Sequence, residues 1–370
     1  KFICLFEKYM WTFYLSLTVL LLILTILPKI QHSHWIFRVP EFGKIQITFF
    51  TVFTFILGFF VKDSTYFWYF QGLLILMFIH HSIILIKYTP LYPVKKFSQK
   101  YKSSDKVHFI SANVYQFNTE YDRFIQLIEK CKPQMFLTME SNGDWEKELR
   151  KLEKEYPFQH KVTLENTYGM HFYSKLKIES SQTHYFVADD IPSIEAHLKT
   201  EDGFSFVFFG VHPPPPSPTE EETSKERDGD LLSAAKRITE IKKPVIVVGD
   251  FNNVAWSKSS ILFRKTSHLI DPRIGRSFVS TFHAKYRLLR FPIDLMFHSE
   301  EIFIEDLKTL DNFGSDHLPV FCEFFIDYEQ EEEQEERIDY ATAEEKAEAE
   351  EMIEEGKEED GERDAVVTED

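Results

Sequence analysis

Three uncharged apolar runs lie near the N-terminus, at residues 10–27, 45–61 and 66–86. Each is about the length that crosses a ~30 Å hydrocarbon layer at 1.5 Å per helical residue. The pattern predicts three transmembrane helices within residues 1–87, with 62–65 as a tight turn between the second and third. The first run lacks a small-residue cleavage site and two more runs follow, so it reads as a span rather than a cleavable leader. His80 and His81 fall inside the third run. Ionisable residues at such depth are functional candidates, but the nearness of Lys87 favours an interfacial or packing role. Pro90 and Pro93 prevent the third helix from continuing. Residues 88–106, rich in proline and then lysine, read as a solvated linker able to rest on anionic head groups.

From residue 107 the period changes. Residues 107–114 and 133–140 read as strands around a helix with apolar positions at Phe124, Leu127 and Ile128. A charged helix at 144–156 and shorter strands at 158–164, 169–174, 184–187 and 193–198 follow. An apolar strand at 204–211 delivers His212, and a charged helix at 219–241 leads to Val245-Ile246-Val247-Val248, a strand buried on both faces. Gly249 reads as the point where the chain leaves the sheet. A short helix at 256–265 and strands at 291–298, 302–308 and 320–326 complete an α/β pattern over 107–327.

Charge refines this picture. The net charge is −17, yet residues 328–370 carry 21 acidic and 4 basic residues, so the rest of the chain is neutral. The tail reads as a disordered, low-complexity segment with some helical content at 342–359. It could mimic a polyanion and cover a site. Lys29, Arg38, Lys44, Lys87, Lys95, Lys96, Lys100 and Lys102 lie on one side of the spans, against Lys1, Lys8 and Lys62 on the other. That asymmetry places the α/β domain in the cytoplasm. Cys4, Cys131 and Cys322 are too scattered for a disulfide framework or a zinc site.

Candidate chemistry gathers at strand ends: Asn113, Glu140, His212, Asp250 with Asn252, Asp294, and Asp316 with His317. Ligand sites in α/β sheets collect at such ends. Taken singly, each has an ordinary explanation: a helix-starting carboxylate for Glu140, a loop histidine for His212, a turn before Pro319 for Asp316-His317. As an ordered set they suit metal-assisted attack of water on a phosphoester. Mg²⁺, with Mn²⁺ as a substitute, takes oxygen ligands, for which Glu140 comes first and Asp316 second. His317, its tautomer held by Asp294, suits a general base. Asn113, Asn252 and His212 would donate to phosphate oxygens.

The set Ser111-Ala112-Asn113-Val114, Thr138-Met139-Glu140, Tyr173-Ser174-Lys175, Gly210-Val211-His212, Gly249-Asp250-Phe251-Asn252, Pro292-Ile293-Asp294 and Gly314-Ser315-Asp316-His317-Leu318-Pro319 resembles the endonuclease/exonuclease/phosphatase family over about residues 106–327. The resemblance implies a four-layer α/β sandwich of two packed mixed sheets. It implies a divalent metal on Glu140 with Asn113 close by, and Asp250 and Asn252 orienting water and phosphate. His317, polarised by Asp294, would be the base, with Asp316 supporting metal or base and His212 contacting phosphate or acting as acid. Leu295, where many relatives carry an aromatic residue, and the prolines after His212 depart from the pattern at the substrate rim. Segments such as Asp190-Ile191-Pro192-Ser193-Ile194 and Thr281-Phe282-His283-Ala284 resemble a bacterial branch with helices before this domain, which implies an inner-membrane location.

The functional expectation is a membrane-anchored phosphodiesterase acting on nucleic acid, with Arg273, Arg276, Lys285, Arg287 and Arg290 as its basic cluster. A lipid head-group phosphatase or phospholipase-like enzyme is the alternative. A non-catalytic membrane scaffold using the acidic tail is the third reading.

Overall fold

The computed structural model describes residues 2–61, 66–94, 106–328, 332–359 and 361. The expected turn at 62–65, the lysine-rich part of the expected linker and the last residues of the tail lie outside these.

Helices α1 (Phe2–Ile26), α2 (Trp35–Phe42), α3 (Lys44–Gly58) and α4 (Phe67–Leu85) come first. The stretches Lys8–Lys29 and Phe67–Tyr88 are each long and apolar enough to cross a membrane. The expected middle span is shorter. At 15 residues α3 extends only about 22 Å, and it meets α2 at 70°, so a third crossing exists only if the bent pair is one span. Gly58 lets the helices close up, since a Cβ there would lie 2.9 Å from Gln71 Nε2 and 3.0 Å from the Tyr14 ring. Gln71 ties this bundle, donating to Phe55 O (3.0 Å) and accepting from Tyr14 Oη (3.2 Å). His81 Nε2 lies 3.0 Å from Thr25 Oγ1 across α1 and α4, a packing partnership.

The start of the expected linker is a packed joint. Tyr88 is buried, its ring 5.4 Å from Trp256 and 6.1 Å from Phe278, and Gly275 N–H donates to Lys87 O (2.8 Å). Trp256 Nε1 donates to Glu41 O (2.8 Å). Leu85, Tyr88, Val254, Trp256 and Ile293 form one apolar cluster with Phe42 and Ile45 at its edge, so the helices and the α/β body share a core. Aromatic bulk, invisible to a reading of prolines and lysines, makes the difference.

The body contains β1 (Val107–Asn113), α5 (Tyr121–Cys131), β2 (Met135–Met139), α6 (Gly143–Leu149), β3 (Phe158–Val162), β4 (Met170–Ser174), β5 (Lys177–His184), β6 (Ser193–Lys199), β7 (Ser205–Val211), α7 (Lys225–Thr239), β8 (Val245–Asp250), α8 (Lys258–Ser267), β9 (Asp294–His298), β10 (Ile302–Thr309) and β11 (Val320–Ile326). One sheet has the order β10-β11-β1-β2-β4-β3 and the other β5-β6-β7-β8-β9. Both are mixed, with β1–β2 and β7–β8 parallel. Phe109, Leu137, Met170 and Phe172 of the first sheet meet Ile194, Phe206, Phe208 and Val248 of the second. The outer face of the first is covered by α5 and α6 through Phe124, Ile128 and Trp145. That of the second is covered by α7 and α8 through Leu231, Ala235 and Phe263. This is the four-layer arrangement expected. Strand β5 precedes the expected 184–187, because its largely exposed sequence lacks the apolar alternation that marks a strand.

Gly249 has a different reason from the one expected. It lies within β8, paired with Val211 and Leu295, and a Cβ would stand 1.8 Å from Val211 O. Close strand approach, not an exit from the sheet, demands glycine there.

The described tail holds a helix where helical content was expected, at 342–359, but it is packed on the body rather than disordered. After the short α9 (Glu332–Glu335), α10 (Ala343–Glu358) begins with a Thr342–Glu345 capping box. Ala349 and Ile353 pack on Leu232 and Leu262. Glu345, Glu350 and Glu359 pair with Lys265 (2.7 Å), Lys236 (2.8 Å) and Lys225 (2.9 Å), and Glu348 pairs with Lys258. Basic residues of α7 and α8 offset an acidity that looks unbalanced along the sequence. The helix rests on the outer layer, so these residues do not serve as the expected cover for the strand ends.

Candidate active site

Topology gathers the polar strand ends. Parallel pairing puts the end of β1 beside that of β2 and the end of β7 beside that of β8. Strand β9 runs antiparallel to β8, with Asp250 opposite Asp294. Strand β11 runs antiparallel to β1, with Ser111 opposite Val320, so Asp316 and His317, just before β11, return to the end of β1. Three non-glycine residues here adopt left-handed backbone: Tyr115 (φ 58°), Glu140 (φ 58°) and Asn252 (φ 46°). Strain of this kind gathers where a side chain must be aimed.

One chain of hydrogen bonds and an ion pair links five of the expected residues. Asn113 Nδ2 donates to Glu140 Oε1 (2.7 Å) and Asp250 Oδ2 (3.2 Å). His317 Nε2 lies 3.5 Å from the same Asp250 oxygen, and His317 Nδ1 lies 2.8 Å from Asp294 Oδ2. Glu140 Oε2 accepts from Gln116 N–H (3.2 Å), and Asp250 Oδ1 from Asn252 N–H (2.9 Å).

The other three expected residues stand around this chain. The Asn252 carboxamide turns to Pro213 O (3.0 Å), bracing the proline loop. His212 is buried beside Tyr168, ring centroids 5.3 Å apart, and its Nδ1 has no hydrogen-bond partner among the described residues. Asp316 is half-buried and accepts Ala284 N–H at its carbonyl (2.6 Å). Leu295, flagged as a departure at the rim, is buried under the outer helices.

Burial sets the electrostatics. It raises Glu140 to about 7, and the nearby Asp316 pushes the same way, against the Asn113 hydrogen bond and His317. Burial also raises Asp250, with Asp294 adding to the effect. For His317 burial alone would lower the pKa, but Asp294 and Asp250 on its two nitrogens outweigh it and hold it at about 10. Burial takes His212 down to about 4.

Two groups of donors suit a cation. Glu140, with Asp316 near enough to perturb it and Asn113 bonded to it, is an oxygen corner of the kind Mg²⁺ takes, and a divalent charge would relieve its carboxylate crowding. Asp250, Asp294 and His317 also offer ligand atoms within 4.8 Å of one another. In that second group the imidazolium between the two carboxylates offsets one of their charges and occupies the space between them, so the Glu140 corner fits better.

Residues the sequence did not single out hold the site in place. Ser315 Oγ donates to Asn113 O (2.9 Å) and accepts His317 N–H (3.0 Å). Gln116 accepts Thr167 N–H (2.8 Å) and donates to Glu165 O (3.0 Å), tying a rim loop to Glu140. Phe282 packs on the His317 ring at 4.8 Å. Arg227 donates to Asn252 O (3.1 Å). Ser315 and Phe282 lay inside quoted segments, though without a role assigned; Gln116 and Arg227 have no local signature.

The sequence model of the Endonuclease/Exonuclease/phosphatase family matches residues 110–317. Solved structures with the same fold include an endonuclease/exonuclease/phosphatase from Bacteroides vulgatus, 18% identical, covering 60% of this chain and 100% of its own, with a TM-score of 0.50. A family protein from Bacteroides thetaiotaomicron is 18% identical, with 61% and 100% covered and a TM-score of 0.51. D. rerio TDP2 complexed with a single-strand DNA product is 15% identical, with 60% and 99% covered and a TM-score of 0.51. No curated protein sequence matches. With more than half its length matched and its polar strand ends converging, the chain belongs to the endonuclease/exonuclease/phosphatase family, whose members are phosphoester hydrolases.

Proposed function

We propose that this protein is a membrane-anchored, divalent-metal-dependent phosphoester hydrolase. The observation that carries the reading is the continuous Glu140–Asn113–Asp250–His317–Asp294 network. Glu140, with Asn113 and Asp316, would hold the metal, which when bound neutralises charge on the phosphate oxygens. Asp250, aimed by Asn252 N–H and raised by burial, removes a proton from water. This revises the sequence expectation that His317 is the base. Carboxylates flank both its nitrogens and favour the charged ring, so His317 supplies positive charge to the phosphate, with Asp294 positioning it. His212, buried and neutral, donates a hydrogen bond to phosphate rather than serving as the acid the sequence also allowed.

For substrate we favour a lipid head-group phosphoester over nucleic acid. The basic cluster that supported nucleic acid is largely committed. Arg273 is buried and paired with Asp271 (2.7 Å), Arg276 donates to Ile304 O and Glu305 O, and Arg290 donates to Ala284 O. The apolar helices, by contrast, dock beside the site through Trp256 and Phe291. The scaffold reading loses its partner segment, since α10 is packed on the body.

The test uses the full chain, because α2, α4 and α10 all pack on the body. With Mg²⁺ or Mn²⁺ it is assayed on DNA, RNA, phosphoinositide and sphingomyelin. Turnover of a lipid, abolished in Glu140→Ala and His317→Ala, is expected. Turnover that survives both substitutions would sink the assignment.

A further inference from the structure

Residues 285–290, Lys-Tyr-Arg-Leu-Leu-Arg, form the most exposed apolar feature of the α/β body. Leu288 is 87% exposed, Leu289 56% and Tyr286 51%. Burying such side chains in a protein core would stabilise the fold, at roughly 25 cal/mol per Å². Leaving two leucines and a tyrosine in water is therefore unexpected unless something else covers them.

The loop's position indicates what covers it. Leu288 O accepts from Gln46 Nε2 (2.9 Å), in the first turn of α3. One turn further along α3, Phe49, Phe50 and Phe53 point outward, 65%, 48% and 46% exposed. Phe42, just before α3, packs edge-on against Phe291, just after the loop, at 6.3 Å. Leu85, at the end of α4, joins the same cluster. The start of α3 and the end of α4 thus lie on the side of the bundle that carries the body, and the loop lies at that level. Its composition suits the same depth. Tyrosine favours the head-group layer, and Lys285 and Arg287, both exposed, would each contribute about 1 kcal/mol against anionic lipid.

The loop is also mechanically joined to the site. Arg290 donates to Ala284 O (2.5 Å), Ala284 N–H donates to Asp316 O (2.6 Å), and Phe282 rests on the His317 ring. The bridge between Phe282 and Phe291 closes the base of the loop.

We propose that residues 285–290 are a wedge seated in the bilayer interface, which opens the site to phosphoesters held in the lipid head-group layer. The inference rests on the reading above that the apolar helices span a membrane and that the site hydrolyses a phosphoester. Its occupant is the bilayer itself, not a protein partner and not a nucleic acid.

The test places a spin label at Leu288→Cys in the full chain, with Cys4 and Cys131 replaced by Ser, in nanodiscs of phosphatidylcholine and phosphatidylglycerol. Collision with oxygen should exceed collision with a water-soluble nickel chelate, as for a label at Phe49 and unlike one at exposed Lys147. A label at Leu288 as open to nickel as that at Lys147 overturns the wedge. The functional arm replaces Leu288 and Leu289 together by Asp, with the single Leu288→Ser variant in case the pair does not fold. Turnover of a phosphoinositide in the nanodisc should fall about ten-fold, while hydrolysis of soluble bis(p-nitrophenyl) phosphate stays within about two-fold, the difference reflecting lost interfacial binding alone. An equal fall on both substrates, or DNA turnover that exceeds lipid turnover, overturns the proposal. If the unaltered protein hydrolyses neither phosphoester, the hydrolase reading fails, and the depth measurement still decides whether the loop is seated.

Discussion

Two clusters of carboxylate and histidine are built on carboxylates of the same sheet, and their difference separates structure from chemistry. The first is Asp250 and Asp294, at the ends of β8 and β9, with His317 reaching them from just before β11 of the other sheet. The second is Glu195 on β6, under α7. Glu195 is saturated: Oε1 takes His197 Nε2 (2.7 Å) and Arg237 NH2 (3.0 Å), while Oε2 takes His184 Nε2 (2.7 Å) and Arg237 Nε (2.9 Å). Burial alone would raise its pKa, but these four contacts drive it far below the ordinary carboxylate range. At the strand ends burial prevails, with neighbouring carboxylates adding to it and fewer donors opposing it, so Glu140 and Asp250 are raised instead. A carboxylate with every lone pair satisfied is inert; one left short of donors can take a proton or a metal.

The largest effect that would break this comparison is on turnover. Asp250→Asn should lower kcat by roughly 10³-fold, about 4 kcal/mol of activation free energy, as the loss of a general base does. The melting temperature should stay the same or rise, because a crowded carboxylate has gone. Retained activity would mean that Asp250 is only another structural acid.

Glu195→Ala should do the reverse. Removing the centre of a buried ion network costs about 3 kcal/mol of stability, read as a lower melting temperature, while turnover per folded molecule is unchanged. The pH dependence separates the clusters too. A depressed carboxyl pKa contributes stability above the unfolded carboxylate range and loses it as pH falls through the folded value, so Glu195→Gln should flatten the acid limb of a melting curve.

The strand-end cluster was legible in the sequence because each member borders an apolar run. Asp250 closes β8, Asp294 opens β9, and His317 precedes Pro319 and the run of β11. The Glu195 cluster was not, because His184, Glu195 and Arg237 come from separate elements with no shared motif. The docking of α10 was hidden for a related reason: its balancing lysines lie about a hundred residues away on α7 and α8. Local pattern reports strands and their ends, whereas a charge network is a property of the assembled layers. The same limit made Arg273 look like a surface cation, although Asp271 holds it in the core.

Glu140→Gln sharpens the contrast at smaller scale. A carboxyl raised to about 7 destabilises the metal-free fold as pH climbs from the unfolded value through 7. The variant should therefore be more stable than the unaltered protein near neutral pH without metal, by roughly 1 kcal/mol, the common gain when a functional group is neutralised. Added Mg²⁺ should stabilise the unaltered protein and leave the variant unmoved. Calorimetry with and without chelator checks both signs.

His197→Ala should give the smallest change, and the reason is redundancy. His197 is only part-buried and donates to a Glu195 oxygen that Arg237 already serves. With it gone, Glu195 keeps Arg237 on both oxygens and His184 on one, so no acceptor is stranded. The loss should be no more than about 0.5 kcal/mol, as for other solvent-screened pairs, and turnover should not move. Asp294 offers the matched test at the site. It is the lone carboxylate on His317 Nδ1, with no second residue sharing that nitrogen among the described residues, so Asp294→Asn should cost turnover far more than His197→Ala costs stability. Equal and small effects from both would mean that the strand-end cluster is as over-determined as the structural one, and that its shortage of donors is not what makes it reactive.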